Sequence, residues 1–155
     1  MSSSGSGALP GSSGHERPNI GILLRIPFQE VVGRVNVELA ELGFDDLRPA
    51  HTVVFQHLSS EGSRLTSLAK RAQISKQSMG YLVDYLEQRG YVERRPDPTD
   101  RRAALVFPTD RGWEQIRAAL SIIAAIEEEW TRQLGEKDMQ QLRQLLRKLG
   151  TATQQ

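Results

Sequence analysis

Cysteine is absent from the 155 residues, which excludes structural disulfides, thiolate zinc sites, iron–sulfur clusters and peroxide sensing by a thiol. Histidine is scarce: His15, His51 and His57 are the only three. His51 and His57 stand six positions apart, on different sides of a helix and with no third nitrogen or thiolate ligand, so no metal site is expected. Long apolar runs are missing too. The longest, Ala118 to Ile126, is about half the roughly 20 residues that a bilayer requires, and no signal-peptide pattern is present. The expectation is a soluble, cytoplasmic protein without membrane contact. No sign of charge prevails, since 20 Lys and Arg face 19 Asp and Glu, and any basic patch must therefore be local. Catalytic constellations are also lacking: there is no nucleophile–base set, no Gly-rich phosphate loop and no paired carboxylates, and Glu127 to Glu129 read as a solvated face. The chain is expected to be no enzyme and to use no cofactor.

What remains suits one compact domain preceded by a tail. Residues 1–18 are rich in Ser and Gly and cannot bury enough apolar surface to offset their ordering entropy, so they read as a disordered tail or a cloning remnant. From Asn19 to Gly43 apolar residues recur every three or four positions, the spacing of a long helix. Pro27 predicts either a kink or a separate first turn. Pro49 opens a second helix to about Leu58. Thr66 is expected to cap a short helix ending before Ile74, and Ser75 to cap another, with Met79, Leu82, Val83 and Leu86 inward and Gly90 as its stop. YVERRP and AALVFP are β-prone runs joined by DPTDRR, a hairpin with a long tip. Thr109 caps a helix to about Leu134, with Trp113, Ile116, Leu120, Ile123 and Ile126 as its stripe. A last helix follows Gly135 and ends at Gly150.

Two short helices, a tight Gln73–Ile74 connection and a charged hairpin form the winged helix-turn-helix layout, whose second helix enters the DNA major groove. Charge agrees locally, because Arg64, Lys70, Arg71 and Lys76 occur before Leu82 without an acidic residue among them. At 100° per residue, Ser75, Lys76, Gln77, Ser78 and Tyr81 fall on the exposed surface of the Ser75 helix, and these are side chains able to meet base edges or phosphates. The hairpin gathers Arg94, Arg95, Arg101 and Arg102, with Asp100 placed to brace Arg102 outward. A protruding arginine suits a narrow, negative minor groove.

The run ISKQSMGYLVDYLEQRGYVERRPDPTDRRAALVFPTDRG resembles the MarR (multiple antibiotic resistance regulator) family of winged-helix regulators. The carriers are LVDYLEQRGYVERRPDPTDRR, with an Asp-x-Arg wing at Asp100 and Arg102, and the Thr-x-x-Gly of Thr109 to Gly112; LAELGF and SRLTSLAKRAQIS also match. Pro108 departs from the usual aliphatic residue. The resemblance covers about residues 19–150. It implies a mainly α fold with a small β-hairpin wing: residues 63–108 as the winged lobe, and residues 19–58 and 109–150 as a helical scaffold and dimerisation region. It further implies a homodimer on a pseudo-palindromic operator in double-stranded DNA, most often a repressor. Ile20, Leu23, Ile26, Leu142, Leu145, Leu146 and Leu149, more apolar surface than one lobe covers, are the expected interface. Gln77, Ser78 and Tyr81 would read the major groove and Arg102 the minor groove. Thr66, Lys76, Arg95 and Arg101 would hold phosphates. Release by a small, often aromatic anion is implied as well, with Arg25, Phe28, His51, Phe55, His57 and Trp113 as candidate lining. The rival function is a winged helix that binds only protein.

Overall fold

The computed structural model describes residues 17–153; most of the expected tail therefore lies outside the described residues. The chain runs α1 (Ile20–Glu41), α2 (Pro49–His57), β1 (Ser63–Arg64), α3 (Leu65–Ala72), α4 (Lys76–Gln88), β2 (Val92–Asp97), β3 (Asp100–Pro108), α5 (Asp110–Leu134) and α6 (Glu136–Thr153). It is a mainly helical fold with one small antiparallel sheet in the order β1-β3-β2. Among the described residues no helix is long and apolar enough to cross a membrane.

Helix boundaries follow local chemistry. The Asn19 side chain accepts from the Ile22 N–H at 3.0 Å and starts α1. The helix continues through Pro27 as one element rather than breaking there; proline removes a single i→i−4 bond, and 22 residues of helix tolerate it here. Ser75 caps α4 by accepting the Ser78 N–H at 3.0 Å. Gly90, at φ +78°, lets the chain turn directly from α4 into β2.

Four expectations need correction. Thr66 does not cap α3: Arg64 occupies the cap position without a side-chain bond, because Ser63 and Arg64 pair with Val106 and Leu105 as a third strand. Two residues are too few for a period-2 pattern to register. The hairpin has no long tip. Asp97 pairs with Asp100 across the two-residue turn Pro98–Thr99, so Arg101 and Arg102 belong to β3. Helix α6 passes through Gly150 to Thr153, with the hydroxyls of Thr151 and Thr153 donating back to carbonyls of the last turns. The α5 stripe is two faces: Ile122 and Ile126 pack on Val35 and Leu39 of α1, whereas Leu120 is 60% exposed.

The lobe core comprises Val54, Leu68, Met79, Val83, Leu86, Tyr91, Val92 and Val106. Tyr91 joins this core to the long helices. Its ring is fully buried near Phe44 and Phe55, its hydroxyl donates to Asp46 Oδ1 at 2.6 Å, and Arg111 donates to that hydroxyl at 3.0 Å. The Tyr91 carbonyl accepts the Thr109 N–H at 3.0 Å. Thr109 in turn caps α5 by accepting the Gly112 N–H and donates its hydroxyl proton to the Gly90 carbonyl. The first turn of α5 thus lies so close to β2 that a Cβ on Gly112 would overlap the Tyr91 carbonyl oxygen. Because that obstacle is backbone, Gly112→Ala is expected to destabilise the fold by about 2 kcal/mol or more. Urea denaturation monitored by circular dichroism measures it, and an unchanged midpoint would contradict the close approach.

Candidate nucleic-acid interface

Helices α3 and α4 meet through Gln73, which adopts the left-handed conformation at φ 56°, so α4 leaves at an angle and presents one face outward. Met79, Val83 and Leu86 hold the other face in the core. Lys76, Gln77 and Ser78 are exposed, and Tyr81 is 66% exposed. The Gln77 amide donates to the Tyr81 hydroxyl at 3.2 Å, and the Ser75 and Ser78 hydroxyls meet at 2.9 Å. These four residues form one hydrogen-bonding strip along α4.

The local basic cluster divides once its partners are seen. Arg64 is committed to Asp97, with Nε and Nη2 at 2.7 and 2.6 Å from Oδ2. Arg71 donates to the His57 carbonyl at 3.2 Å, tying α3 to the end of α2. Arg94 pairs with Asp84 and Glu87 of α4, which fastens β2 to that helix. Arg95 pairs with Glu93 and lies over the Phe107 ring at 4.5 Å. Arg101 and Arg102, by contrast, form no ion pair among the described residues and are exposed. Asp100 does not brace the Arg102 side chain. Its Oδ1 accepts the Arg102 backbone N–H at 3.0 Å, so it fixes the strand that carries the guanidinium and leaves the guanidinium free. Between wing and helices, Arg64, Thr66, Lys76, Asp100 and Arg102 line a cleft of about 360 Å³. Thr66, at the second position of α3, is exposed there, where free helix N–H groups favour an anion.

Asp97 is what holds the turn of the wing. Its Oδ1 accepts the Thr99 N–H at 2.9 Å and the Thr99 hydroxyl at 2.7 Å. Sequence reading passed over Arg64–Asp97, since 33 residues separate the pair and only the β1–β3 contact brings them together. The Thr99 bonds first, and Arg64 after them, hold the Asp97 carboxyl at about 2.

The residues suggested for a small-molecule pocket do not gather in one place. Phe28 and Phe55 line a groove of about 440 Å³ between α1, α2 and α5; Arg25, His51, His57 and Trp113 are not among its lining. His51 stacks on Tyr85 at 4.4 Å and its Nδ1 accepts the Arg48 N–H at 3.0 Å. Burial and then the Arg48 charge lower its pKa, which agrees with a neutral ring acting as acceptor. Gln115 lines the groove and was not foreseen. Elsewhere, Ile20, Leu23, Ile26, Leu142, Leu145, Leu146 and Leu149 are 38–66% exposed, an apolar face uncovered in the single chain. Glu127 and Glu129 are not merely solvated, because they pair with Arg143 of α6 and Arg34 of α1.

Comparison with known proteins agrees with this geometry. Residues 45–103 match the family model described as MarR family. Over those residues the chain is similar to the MarR family. Among curated relatives, the transcriptional regulator HosA of Escherichia coli O111:H- is 29% identical over 129 residues, 83% of this chain and 93% of that one. The HTH-type transcriptional regulator MhqR of Bacillus subtilis is 24% identical over 135 residues, covering 86% and 91%. The crystal structure of MarR superposes with a TM-score of 0.71 at 25% identity, covering 86% of this chain and 96% of that one. The MepR–DNA complex of S. aureus superposes at 0.70 with 22% identity, covering 88% and 99%, a likeness of fold. The chain thus shares its winged lobe and flanking long helices with these solved structures.

A carboxyl held below its unfolded pKa contributes stability above the unfolded value, and loses it as pH falls through the folded one. Asp97→Asn is expected to lower stability at neutral pH and to flatten the loss that wild type shows between pH about 4 and about 2. Denaturation midpoints across that range measure it; parallel curves for the two proteins would contradict the Asp97 clamp.

Proposed function

We propose that this chain is a homodimeric, sequence-specific double-stranded DNA-binding transcriptional regulator, working in the cytoplasm as a repressor that a small ligand releases. The observation that carries the reading is the pairing of an exposed, hydrogen-bonding α4 with a wing whose Arg101 and Arg102 are uncompensated while neighbouring arginines are paired internally. In this reading Ser75, Gln77, Ser78 and Tyr81 meet base edges or nearby phosphates in the major groove. Arg102 enters the adjacent minor groove on a strand fixed by Asp100. Thr66 and Lys76 in the cleft and Arg101 on the wing hold phosphates and set register without reading sequence; Arg95, stacked and paired, contributes less. Support also comes from the S. aureus relative, solved with DNA, and from relatives named as transcriptional regulators.

Residues 63–108 are then the reading lobe, and residues 19–58 and 109–150 the scaffold that dimerises. The exposed leucines of α6 and isoleucines of α1 supply an apolar face of the kind a two-fold partner covers. A dimer would place its two α4 helices about 34–36 Å apart, one turn of a pseudo-palindromic site.

A duplex selected from a random pool tests the function in a gel-shift titration. Arg102→Ala is expected to weaken binding by about 1–3 kcal/mol, and Arg95→Ala by clearly less. Equal losses, or an unchanged Arg102→Ala affinity, would refute the wing assignment, and failure to bind any duplex would favour a protein-binding module. A chain ending at Leu134 is expected to sediment as monomer or aggregate; a stable dimer would overturn the interface.

A further inference from the structure

A glycine inside a helix exposes backbone to water and loses more conformational entropy on folding than alanine, so its presence needs a reason. Gly112 has an internal one, the Tyr91 carbonyl oxygen against which it is seated. Gly80, in the middle of α4, has none among the described residues. Its φ lies outside the left-handed region. A Cβ built there would meet only Leu65 Cδ2, at 3.8 Å, an ordinary van der Waals contact. Alanine would fit the fold and favour the helix, so what its methyl would obstruct lies outside the chain.

The neighbours of Gly80 identify that occupant. Lys76 precedes it and Asp84 follows it by four residues each, so the three form one row along α4. Lys76 lines the 360 Å³ cleft between wing and helices. Leu65, whose methyl faces Gly80, lines the same cleft together with Thr66, the next residue. Asp84 would repel an anion, but Arg94, also in the cleft wall, holds its carboxylate at 2.6 Å. The bare Cα of Gly80 thus borders both side chains assigned to a phosphate, beside the apolar carbon of Leu65. A nucleic-acid phosphate carries a sugar on either side, and a deoxyribose presents mostly C–H surface.

We propose that Gly80 lacks a side chain in order to seat the deoxyribose next to the phosphate that Thr66 and Lys76 hold; this rests on the DNA-binding reading above. The glycine then sets how deeply one strand settles into the cleft, and so whether Thr66 and Lys76 reach the phosphate. Gln77 and Tyr81 lie on the neighbouring row, which points most directly away from the core, and are left to the bases. Gly80 therefore acts on affinity for every sequence rather than on the choice of base.

Thermal melting of the full chain, and anisotropy titrations of a selected and a scrambled labelled duplex over a range of salt, test this with Gly80→Ala. The variant is expected to melt about 2–4 °C higher than wild type and to bind the selected duplex about tenfold more weakly. Its preference for the selected duplex should be retained, and its slope of log K against log salt should be less negative by about 0.9 for each phosphate released. Gln77→Ala, as the comparison, should keep the wild-type slope. A lower melting temperature for Gly80→Ala would mean that the fold itself requires the glycine, and would overturn the proposal. Weakened binding at the wild-type slope, or loss of the sequence preference, would place the methyl against a base edge and overturn it as well. Wild type that binds no duplex refutes the regulator reading, whereas duplex binding that Gly80→Ala equals refutes the deoxyribose seat alone.

Discussion

Everything the wing and α4 can do depends on how Tyr91 is held. The residue follows the turn out of α4, opens the hairpin and lies under the first turn of α5, so one side chain and its carbonyl meet three parts of the chain. The ring is buried beside Phe44 and Phe55, the hydroxyl is shared by Asp46 and Arg111, and the carbonyl is covered by Thr109 and Gly112. Burial and the Asp46 bond push the Tyr91 phenol up to about 12, so it remains a donor throughout the physiological range. Asp46 also receives the Tyr85 hydroxyl through its backbone carbonyl at 2.6 Å. The α1–α2 loop is thereby tied to α4, β2 and α5 together.

Around that joint, charge is distributed with a clear division of labour. Arg64, Arg94 and Arg111 have partners inside the lobe or at its edge, and they serve rigidity: the first holds the hairpin turn, the second docks β2 on α4, the third closes the Tyr91 contact. Arg34 and Arg143 do the same for the long helices through Glu129 and Glu127. The outward arginines of β3 are left uncompensated, in a chain whose net charge is only +1. A near-neutral protein can present a local positive edge here because the neighbouring arginines Arg64, Arg94 and Arg95 are matched at short range.

The sequence was most legible where periodicity and capping chemistry coincide. Ser75 and Thr109 mark their helix starts with the side-chain bonds expected of them, and the inward face of α4 is the one that a 3.6-residue repeat indicates. Legibility failed where geometry depends on distant partners. Strand β1 exists only because β3 lies alongside it, and its formation displaces Thr66 from the cap it would otherwise have supplied. The four hairpin arginines look alike in sequence, and only the fold separates those with carboxylate neighbours from those without. Of the suggested pocket residues, Phe28 and Phe55 converge, while His51 was absorbed by a stacking contact and Gln115 escaped notice because a single glutamine in an amphipathic helix carries no signal until its surroundings are known.

Both lobes of a dimer engaging phosphates through Thr66, Lys76 and Arg101, with Arg102 in the minor groove, is the claim on which the functional account stands. Its most direct measurement is fluorescence anisotropy of the full chain with a selected labelled duplex, repeated over a series of salt concentrations. The account predicts a linear fall of log K with log salt, with a slope of about −0.9 for each phosphate neutralised and several phosphates in all. A flat salt dependence, or no affinity for duplex even in dilute buffer, would contradict it.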